Sequence, residues 1–159
     1  VDVSTDGGYT FVRTPDIHVS FLAHHPDVGI IQPSLWRNPS KPDTVHAVFR
    51  SDAGAVYRAD ATDGGRTWGP AMRTKLTSSN TGLDVAAMLG GKLLALAYNP
   101  GTADGSNWGR RYPLRVSLSA DDGLTWSHHV DLETAPGEYS YPALTPWPED
   151  HAGVLRGLR

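Results

Sequence analysis

The chain has 159 residues, of which 39% are hydrophobic and 19% are charged, and its formal net charge is −3. This composition is typical of a globular protein with a core, and the small negative charge, with no run of five like charges, favours neither nucleic acid nor an anionic membrane as a partner. The absence of cysteine excludes disulfides, thiolate zinc sites and thiol nucleophiles, while 17 glycines and 12 prolines indicate many turns.

Near its start the chain has a short polar segment that recurs twice further on. The three copies occupy residues 4–11, 61–68 and 119–126, and their aspartates, at positions 6, 63 and 121, are 57 and 58 residues apart. Serine and aspartate oxygens accept backbone N–H bonds, glycine permits a positive φ, and the closing aromatic side chain anchors the turn. Each copy therefore predicts a hairpin connection, and the period suits one four-stranded blade of a β-propeller.

Alternating apolar residues between the copies predict the strands of successive blades. An outer strand is expected within residues 11–19. The first complete unit then has predicted strands at 30–36, 45–50, 55–59 and 71–73. The second has them at 83–89, 92–98 and 114–118 and after the third copy. A last pair is predicted at 140–144 and 153–156. These strands divide a single domain, residues 1–159, into blade portions 1–28, 29–78, 79–136 and 137–159.

The third copy, Ser119-Ala120-Asp121-Asp122-Gly123-Leu124-Thr125-Trp126, has the pattern S-x-D-x-G-x-T-W. This pattern resembles the Asp-box of the bacterial neuraminidase repeat (BNR), which is found in the sialidase superfamily. Ala61 replaces the serine in the second copy, and Phe11 replaces the tryptophan in the first. The resemblance implies an all-β chain, a β-propeller of sialidase type. The chain would form about two complete four-stranded blades plus two partial blades, an incomplete ring that is part of a six-bladed propeller.

The boxes are expected to join third and fourth strands, so function is expected at the opposite end of each blade. There the start of the first strand, the end of the second and the entry to the third come together. The polar residues that this placement gathers are His24, His25, Gln32, Arg50, Asn80, Asp84, Asn99, Arg110, Arg111, Glu138, Tyr139 and Tyr141. Tyr141 follows Asp84 by 57 residues, so these two are expected at equivalent positions of successive blades.

Residues 137–144 resemble the sialidase segment that places a nucleophilic tyrosine on an inner strand, which makes Tyr141 and Tyr139 the candidate nucleophiles. A phenol needs a carboxylate as its base, and Glu138 is close in sequence, although in the family that carboxylate comes from another blade. Asp84 is the candidate acid that faces the leaving group. The alternatives are tyrosines packed in the core with bonded hydroxyls, and an aspartate that caps a turn.

Arginines are the candidate ligands for an acidic sugar, because the guanidinium fork matches a carboxylate. Arg50 follows an apolar strand and resembles the sialidase position whose guanidinium binds a carboxylate. Arg111 and Arg156 are further candidates, and a plain surface position is the alternative for both. The family's arginine motif before the first box has no counterpart in this sequence.

The remaining polar candidates have weaker sequence signals. Gln32 and Asn99 are predicted to bind sugar hydroxyls, and Trp108 is a candidate stacking surface or a packed loop residue. His24 and His25 are most simply loop residues; as a pair they would otherwise supply a base or a metal ligand. The interpretation as a whole calls for no cofactor and no metal ion.

Two classes of function fit these residues. The first is an exo-sialidase-like glycoside hydrolase that acts on an acidic sugar, with a propeller polysaccharide lyase acting on a uronate as its variant. His24 or His25, with Arg50 and Tyr141, suits the lyase chemistry. The second is a non-catalytic glycan-binding propeller. The expected partner is an acidic oligosaccharide or glycoconjugate. Two blades cannot close a ring, so a homo-oligomer or further blades of a longer polypeptide are also expected. No targeting segment is visible.

Overall fold

The structure, a computed structural model, describes residues 1–20, 28–101 and 109–146. The strands in this part of the chain are β1 (Asp2–Val3), β2 (Val12–Arg13), β3 (Ile30–Asn38), β4 (Lys41–Ser51), β5 (Ala55–Ala61), β6 (Met72–Thr77), β7 (Asp84–Met88), β8 (Leu93–Tyr98), β9 (Leu114–Ser119) and β10 (His128–Glu133). A 3-10 turn, Leu89–Gly91, connects β7 to β8. The described ranges contain no helix that is long and apolar enough to span a membrane.

The strands form two four-stranded antiparallel sheets, each with its strands in sequence order, and one two-stranded sheet. β3 to β6 make the first four-stranded sheet, β7 to β10 make the second, and β1 pairs with β2. In both larger sheets the first strand in sequence lies at one edge and the fourth at the other. The prediction of an all-β chain built from two complete four-stranded blades and partial ones is therefore confirmed.

Each Asp-box is the turn between the last two strands of its sheet. In the third box, Asp121 accepts the backbone N–H of Thr125 at 2.8 Å and the Thr125 hydroxyl at 2.5 Å. Ser119 Oγ accepts the backbone N–H of Gly123 at 2.9 Å. The hydroxyl bond from Thr125 is the largest cause that lowers the pKa of Asp121 to about 2. The second box keeps its aspartate–threonine bonds despite Ala61, so the box has a structural role.

Apolar side chains pack on both faces of the first sheet. Between the two sheets, Val48 and Val56 of the first meet Leu94 and Leu96 of the second, and all four are almost fully buried. Burial of such side chains contributes roughly 1.5 to 3 kcal/mol each and holds the two blades face to face. The opposite face of the first sheet packs against the N-terminal segment, which reaches the sheet through Val19.

A polar joint, which the sequence did not predict, also connects the two blades at their box ends. The Asp122 carboxylate of the third box accepts Trp36 Nε1 at 2.9 Å and Asn38 Nδ2 at 2.7 Å, and it lies 3.0 Å from His46 Nε2. Arg58 Nη1 donates to the Asp122 carbonyl at 2.8 Å. Burial alone would raise the pKa of Asp122, but the bonds from Trp36 and Asn38, together with the nearby His46 and Arg58, more than offset it, and the pKa is lowered.

The structure departs from the predicted strands at two places near the expected site. β3 has an irregular register between Ile31 and Ser34, and this bulge accommodates Pro33, which has no N–H for the ladder. Gln32, in the same bulge, has a φ of 50°. Among the described residues 140–146, where an inner strand was predicted, no strand forms. The predicted strand at 153–156 lies outside the described residues.

Candidate functional site

Hydrogen bonds between inner strands show how successive blades are aligned at the end opposite the boxes. Ser34 Oγ donates to Asp84 Oδ1 at 2.8 Å and accepts the Val85 backbone N–H at 3.0 Å. The other Asp84 oxygen accepts the Leu144 backbone N–H at 2.7 Å. Ser34 and Asp84 occupy the same register position in their sheets, opposite Val48 and Ala97 respectively. Residues 140–144 therefore pack beside β7 in the same way that the first residues of β7 pack beside β3.

This alignment corrects the expected equivalence of Tyr141 and Asp84. Leu144 bonds to Asp84 as Val85 bonds to Ser34, so Leu144 corresponds to Val85 and the preceding residue, Ala143, corresponds to Asp84. The spacing of 57 residues gave the wrong pair of equivalent residues, because the loops between the strands differ in length from blade to blade.

Arg111 lies at the centre of a group of polar side chains at this end of the second sheet. Its Nε is 3.3 Å from Glu138 Oε2, and its Nη1 donates to Ser140 Oγ at 2.8 Å. Its guanidinium carbon lies 5.9 Å from the centre of the Tyr141 ring, within the range of a cation–π contact. We call these four residues, Arg111, Glu138, Ser140 and Tyr141, the Arg111 cluster. It brings three of the predicted site residues together.

The cluster is accessible, which a ligand site requires. The Arg111 side chain is 22% exposed and that of Glu138 79%, whereas Tyr141 as a residue is 56% exposed. Tyr141 has a φ of 56°, which is uncommon for a bulky side chain. Its ring lies over Gly82, where an added Cβ would be only 2.7 Å from Tyr141 Cδ1. A glycine is therefore needed at position 82 for Tyr141 to hold this position.

Tyr139, the other candidate nucleophile, has a different environment. It is partly buried, and its ring covers Gly137, where an added Cβ would be 2.7 to 2.8 Å from the ring atoms and the hydroxyl. Glu138, which directly precedes Tyr139 in sequence, pairs with Arg111. Among the residues that the structure describes, no carboxylate is hydrogen-bonded to either tyrosine hydroxyl.

Asn99 and Asp84 have structural roles, because both side chains are hydrogen-bonded within the protein. Asn99 has no exposed surface, and its side-chain amide donates to the backbone carbonyls of Arg111, Pro113 and Tyr139 at 2.9 to 3.0 Å. The prediction that Asn99 binds sugar hydroxyls does not fit this geometry. The two oxygens of Asp84 each accept a hydrogen bond that aligns neighbouring strands, so the geometry gives Asp84 a structural task and does not support it as the acid.

Arg50 and Gln32 lie at the same end of the fold but on the first sheet. Arg50 is within β4, opposite Ile31, and is 5% exposed. By register it occupies the position that Asn99 has in the second sheet. Gln32 is exposed. Three other predicted candidates, His24, His25 and Arg156, lie outside the described residues, as does Trp108.

Sequence reasoning missed Ser140, whose hydroxyl fixes Arg111. Its one sequence signal was its place directly before Tyr141, because residues 140–146 form no strand whose alternation would have indicated which way the side chain faces. Within ranges 1–20, 28–101 and 109–146 no group of three or more His, Asp or Glu side chains is arranged to hold a metal ion.

Known structures share this fold. An unknown-function protein from Dyadobacter fermentans matches with a TM-score of 0.64 and 19% identity, over 87% of this chain and 34% of that one. The Hadza microbial sialidase Hz136 matches with a TM-score of 0.61 and 22% identity, over 84% and 24%. The NanB sialidase from Streptococcus pneumoniae matches with a TM-score of 0.59 and 17% identity, over 88% and 21%.

These matches confirm the fold of sialidase type, and this chain spans about a third or less of the length of each matched structure. A comparison with curated proteins found no match. A family profile described as a BNR repeat-like domain matches residues 1–154, which include all three Asp-boxes. As the resemblance of those boxes implied, the chain belongs to the BNR repeat-like domain family.

Proposed function

We propose that the chain is part of a sialidase-type glycoside hydrolase that binds the carboxylate of an acidic sugar at the Arg111 cluster. The observation that carries this proposal is the accessible Arg111 guanidinium, which Ser140 holds in orientation beside the exposed Tyr141 ring. Two proteins that share the fold are named sialidases, which supports a glycan as the ligand. An acidic oligosaccharide is the partner that this chemistry suits best.

The pairing of Arg111 with Glu138 leaves room for such a ligand. Glu138 is 79% exposed, and exposed ion pairs typically contribute only about 0 to 1 kcal/mol. A sugar carboxylate that reaches both nitrogens of the guanidinium fork forms a stronger, bidentate pair. We therefore expect the sugar to replace Glu138 at Arg111, while the bond from Arg111 to Ser140 keeps the guanidinium in place.

The same replacement would free a base for catalysis. Once released from Arg111, the Glu138 carboxylate accepts the proton of the Tyr141 hydroxyl, and the phenolate oxygen attacks the anomeric carbon. The glycosidic bond breaks, and a water molecule protonates the departing oxygen. A second water molecule then cleaves the aryl glycosidic bond to Tyr141: its hydroxyl stays on the sugar, its proton goes to the Tyr141 oxygen, and Glu138 releases its own proton to solvent. A neutral tyrosine suits this task, because a carboxylate nucleophile would repel an anionic sugar.

A binding-only propeller is the second candidate, and one observation favours it. Asp84 is engaged in strand alignment, so among the described residues the cluster itself offers a single carboxylate, Glu138, for a reaction that ordinarily uses an acid as well as a base. In that case the Arg111 cluster would recognise the acidic sugar without cleaving it.

A change of Arg111 to alanine tests carboxylate recognition in either case. Loss of a charge-assisted pair costs about 1.5 to 3 kcal/mol, so we expect R111A to weaken the binding of N-acetylneuraminic acid by roughly 10- to 150-fold in calorimetric or NMR titrations. The methyl ester of the same sugar, which has no charge, should bind R111A and the unchanged protein alike.

Arg110 provides the matched control. It is the neighbouring arginine, is exposed, and lies over the Tyr112 ring at 5.8 Å instead of joining the cluster. R110A should bind the acid within about twofold of the unchanged protein. Equal losses in R110A and R111A would indicate general charge attraction and contradict a site at Arg111.

A further inference from the structure

The buried Asn99 amide connects the two segments that carry the Arg111 cluster. Its Nδ2 donates to the carbonyls of Arg111, Pro113 and Tyr139, and its Oδ1 accepts the hydroxyl of Thr81 at 2.8 Å. Arg111 is itself in the cluster, and Tyr139 lies between Glu138 and Ser140. Nδ2 therefore holds backbone and Oδ1 holds the Thr81 hydroxyl, so both polar atoms of this side chain have partners within the protein.

The two segments also bond directly to each other, because the Tyr139 backbone N–H donates to the Arg111 carbonyl at 3.2 Å. At its far end the second segment is fixed by the bond from Leu144 to Asp84. Tyr141 lies between these two attachments. Residues 139–144 form no strand of their own, so their position depends on two side chains, Asn99 and Asp84.

From this arrangement we propose that Asn99 is a positioning residue, which sets the placement of Arg111 relative to Glu138, Ser140 and Tyr141. The proposal rests on the proposed function in so far as the correctly placed cluster is the acidic-sugar site. Asn99 acts through backbone carbonyls, which need a hydrogen-bond donor, so an ionised carboxylate of the same shape, which is acceptor-only, cannot replace the amide.

The substitution N99D tests this requirement. It keeps the size of the side chain but presents an oxygen to three carbonyl oxygens, so the segments at 111–113 and 139–144 should separate. The control is T81V, which removes the hydroxyl partner of Asn99 Oδ1 and leaves the three donated bonds in place. Both changes are at buried positions, so both are expected to lower stability.

Two measurements separate positioning from stability. NMR of ring-labelled tyrosine should show a changed Tyr141 signal, with faster amide exchange at residues 139–144, in N99D and not in T81V. Titration with N-acetylneuraminic acid should show at least tenfold weaker binding in N99D than in T81V. The Thr125 amide of the third Asp-box should exchange alike in both variants and so report intact blades. Should N99D fail to fold, N99S, which removes the amide without adding a charge, takes its place.

An unchanged Tyr141 signal in the Asn99 variant, or equal losses of binding in both variants, would overturn the role of Asn99. If the unchanged protein does not bind the sugar, the proposed function fails, and the Tyr141 signal and the amide exchange still decide the positioning role.

Discussion

Replacement of Tyr141 by phenylalanine is expected to abolish hydrolysis of an acidic glycoside while leaving the fold intact. Removal of a covalent nucleophile typically lowers kcat by at least about a thousandfold. The ring packing over Gly82 and beside Arg111 involves no hydroxyl, so phenylalanine should keep it. The measurement is the initial rate of sugar release by Y141F, together with its circular dichroism spectrum and thermal unfolding.

Tyr139→Phe is the matched control for this prediction. Tyr139 is the neighbouring candidate and covers Gly137, on a part of the segment that bonds to Arg111 through backbone groups. Y139F should keep its activity within a few-fold of the unchanged protein. If Y139F loses turnover and Y141F retains it, the nucleophile is Tyr139 and the proposed role of Tyr141 is wrong.

The second large effect is expected at the joint between the blades. Substitution of Asp122 by glycine leaves the donors of the buried Trp36 and the partly buried Asn38 without an acceptor, which costs about 2 to 4 kcal/mol in total. Glycine relieves the positive φ of 61° at this position and regains up to about 1 kcal/mol. D122G should therefore lower the free energy of unfolding, measured by urea titration, by about 1 to 3 kcal/mol.

The second Asp-box shows why this change is informative. It has Gly64 where the third box has Asp122, so the turn itself needs only a residue that tolerates positive φ. The exposed Ala120 of the same turn gives the control A120G, which adds a glycine without removing a bond and should cost well under 1 kcal/mol. Equal destabilisation by both variants would mean that turn flexibility, and not the joint, is responsible.

The effect of D122G should depend on pH in a stated direction. The pKa of Asp122 is lowered in the folded protein, so its contribution to stability is full above the pKa of about 4 that an unfolded aspartate has. That contribution is lost as pH falls through the folded value. The difference in unfolding free energy between D122G and the unchanged protein should therefore be constant near pH 7 and shrink as the pH is lowered below about 4.

The fold was predictable because its main signal is local. Asp121 and Thr125 bond within one turn, so the box has the same shape wherever its residues recur, and the spacing of the boxes gives the size of a blade. The positions of the box turns between the last two strands followed from the same pattern. The joint at Asp122 could not be predicted from the sequence, because its partners Trp36 and Asn38 are more than 80 residues away along the chain.

The site was harder to predict because its contacts join segments outside the strands. Residue type gave the polar candidates, but it did not show that Asn99 is fully buried or that Asp84 aligns strands. Repeat counting also failed at this end: the boxes at Asp63 and Asp121 are 58 residues apart, whereas the equivalent inner-strand residues Ser34 and Asp84 are separated by 50. Loop lengths, which no local rule fixes, account for the difference.

The fate of an acidic oligosaccharide in oxygen-18 water tests the central claim most directly. The substrates are an α-linked sialoside and a uronate-containing oligosaccharide, and the products are identified by mass spectrometry. Hydrolysis at the Arg111 cluster predicts that the acidic sugar is released with one oxygen-18 atom from the solvent, that R111A releases it much more slowly, and that Y141F releases none. An unsaturated uronate without the label, or binding with no product from either substrate, would contradict a sialidase-type hydrolase.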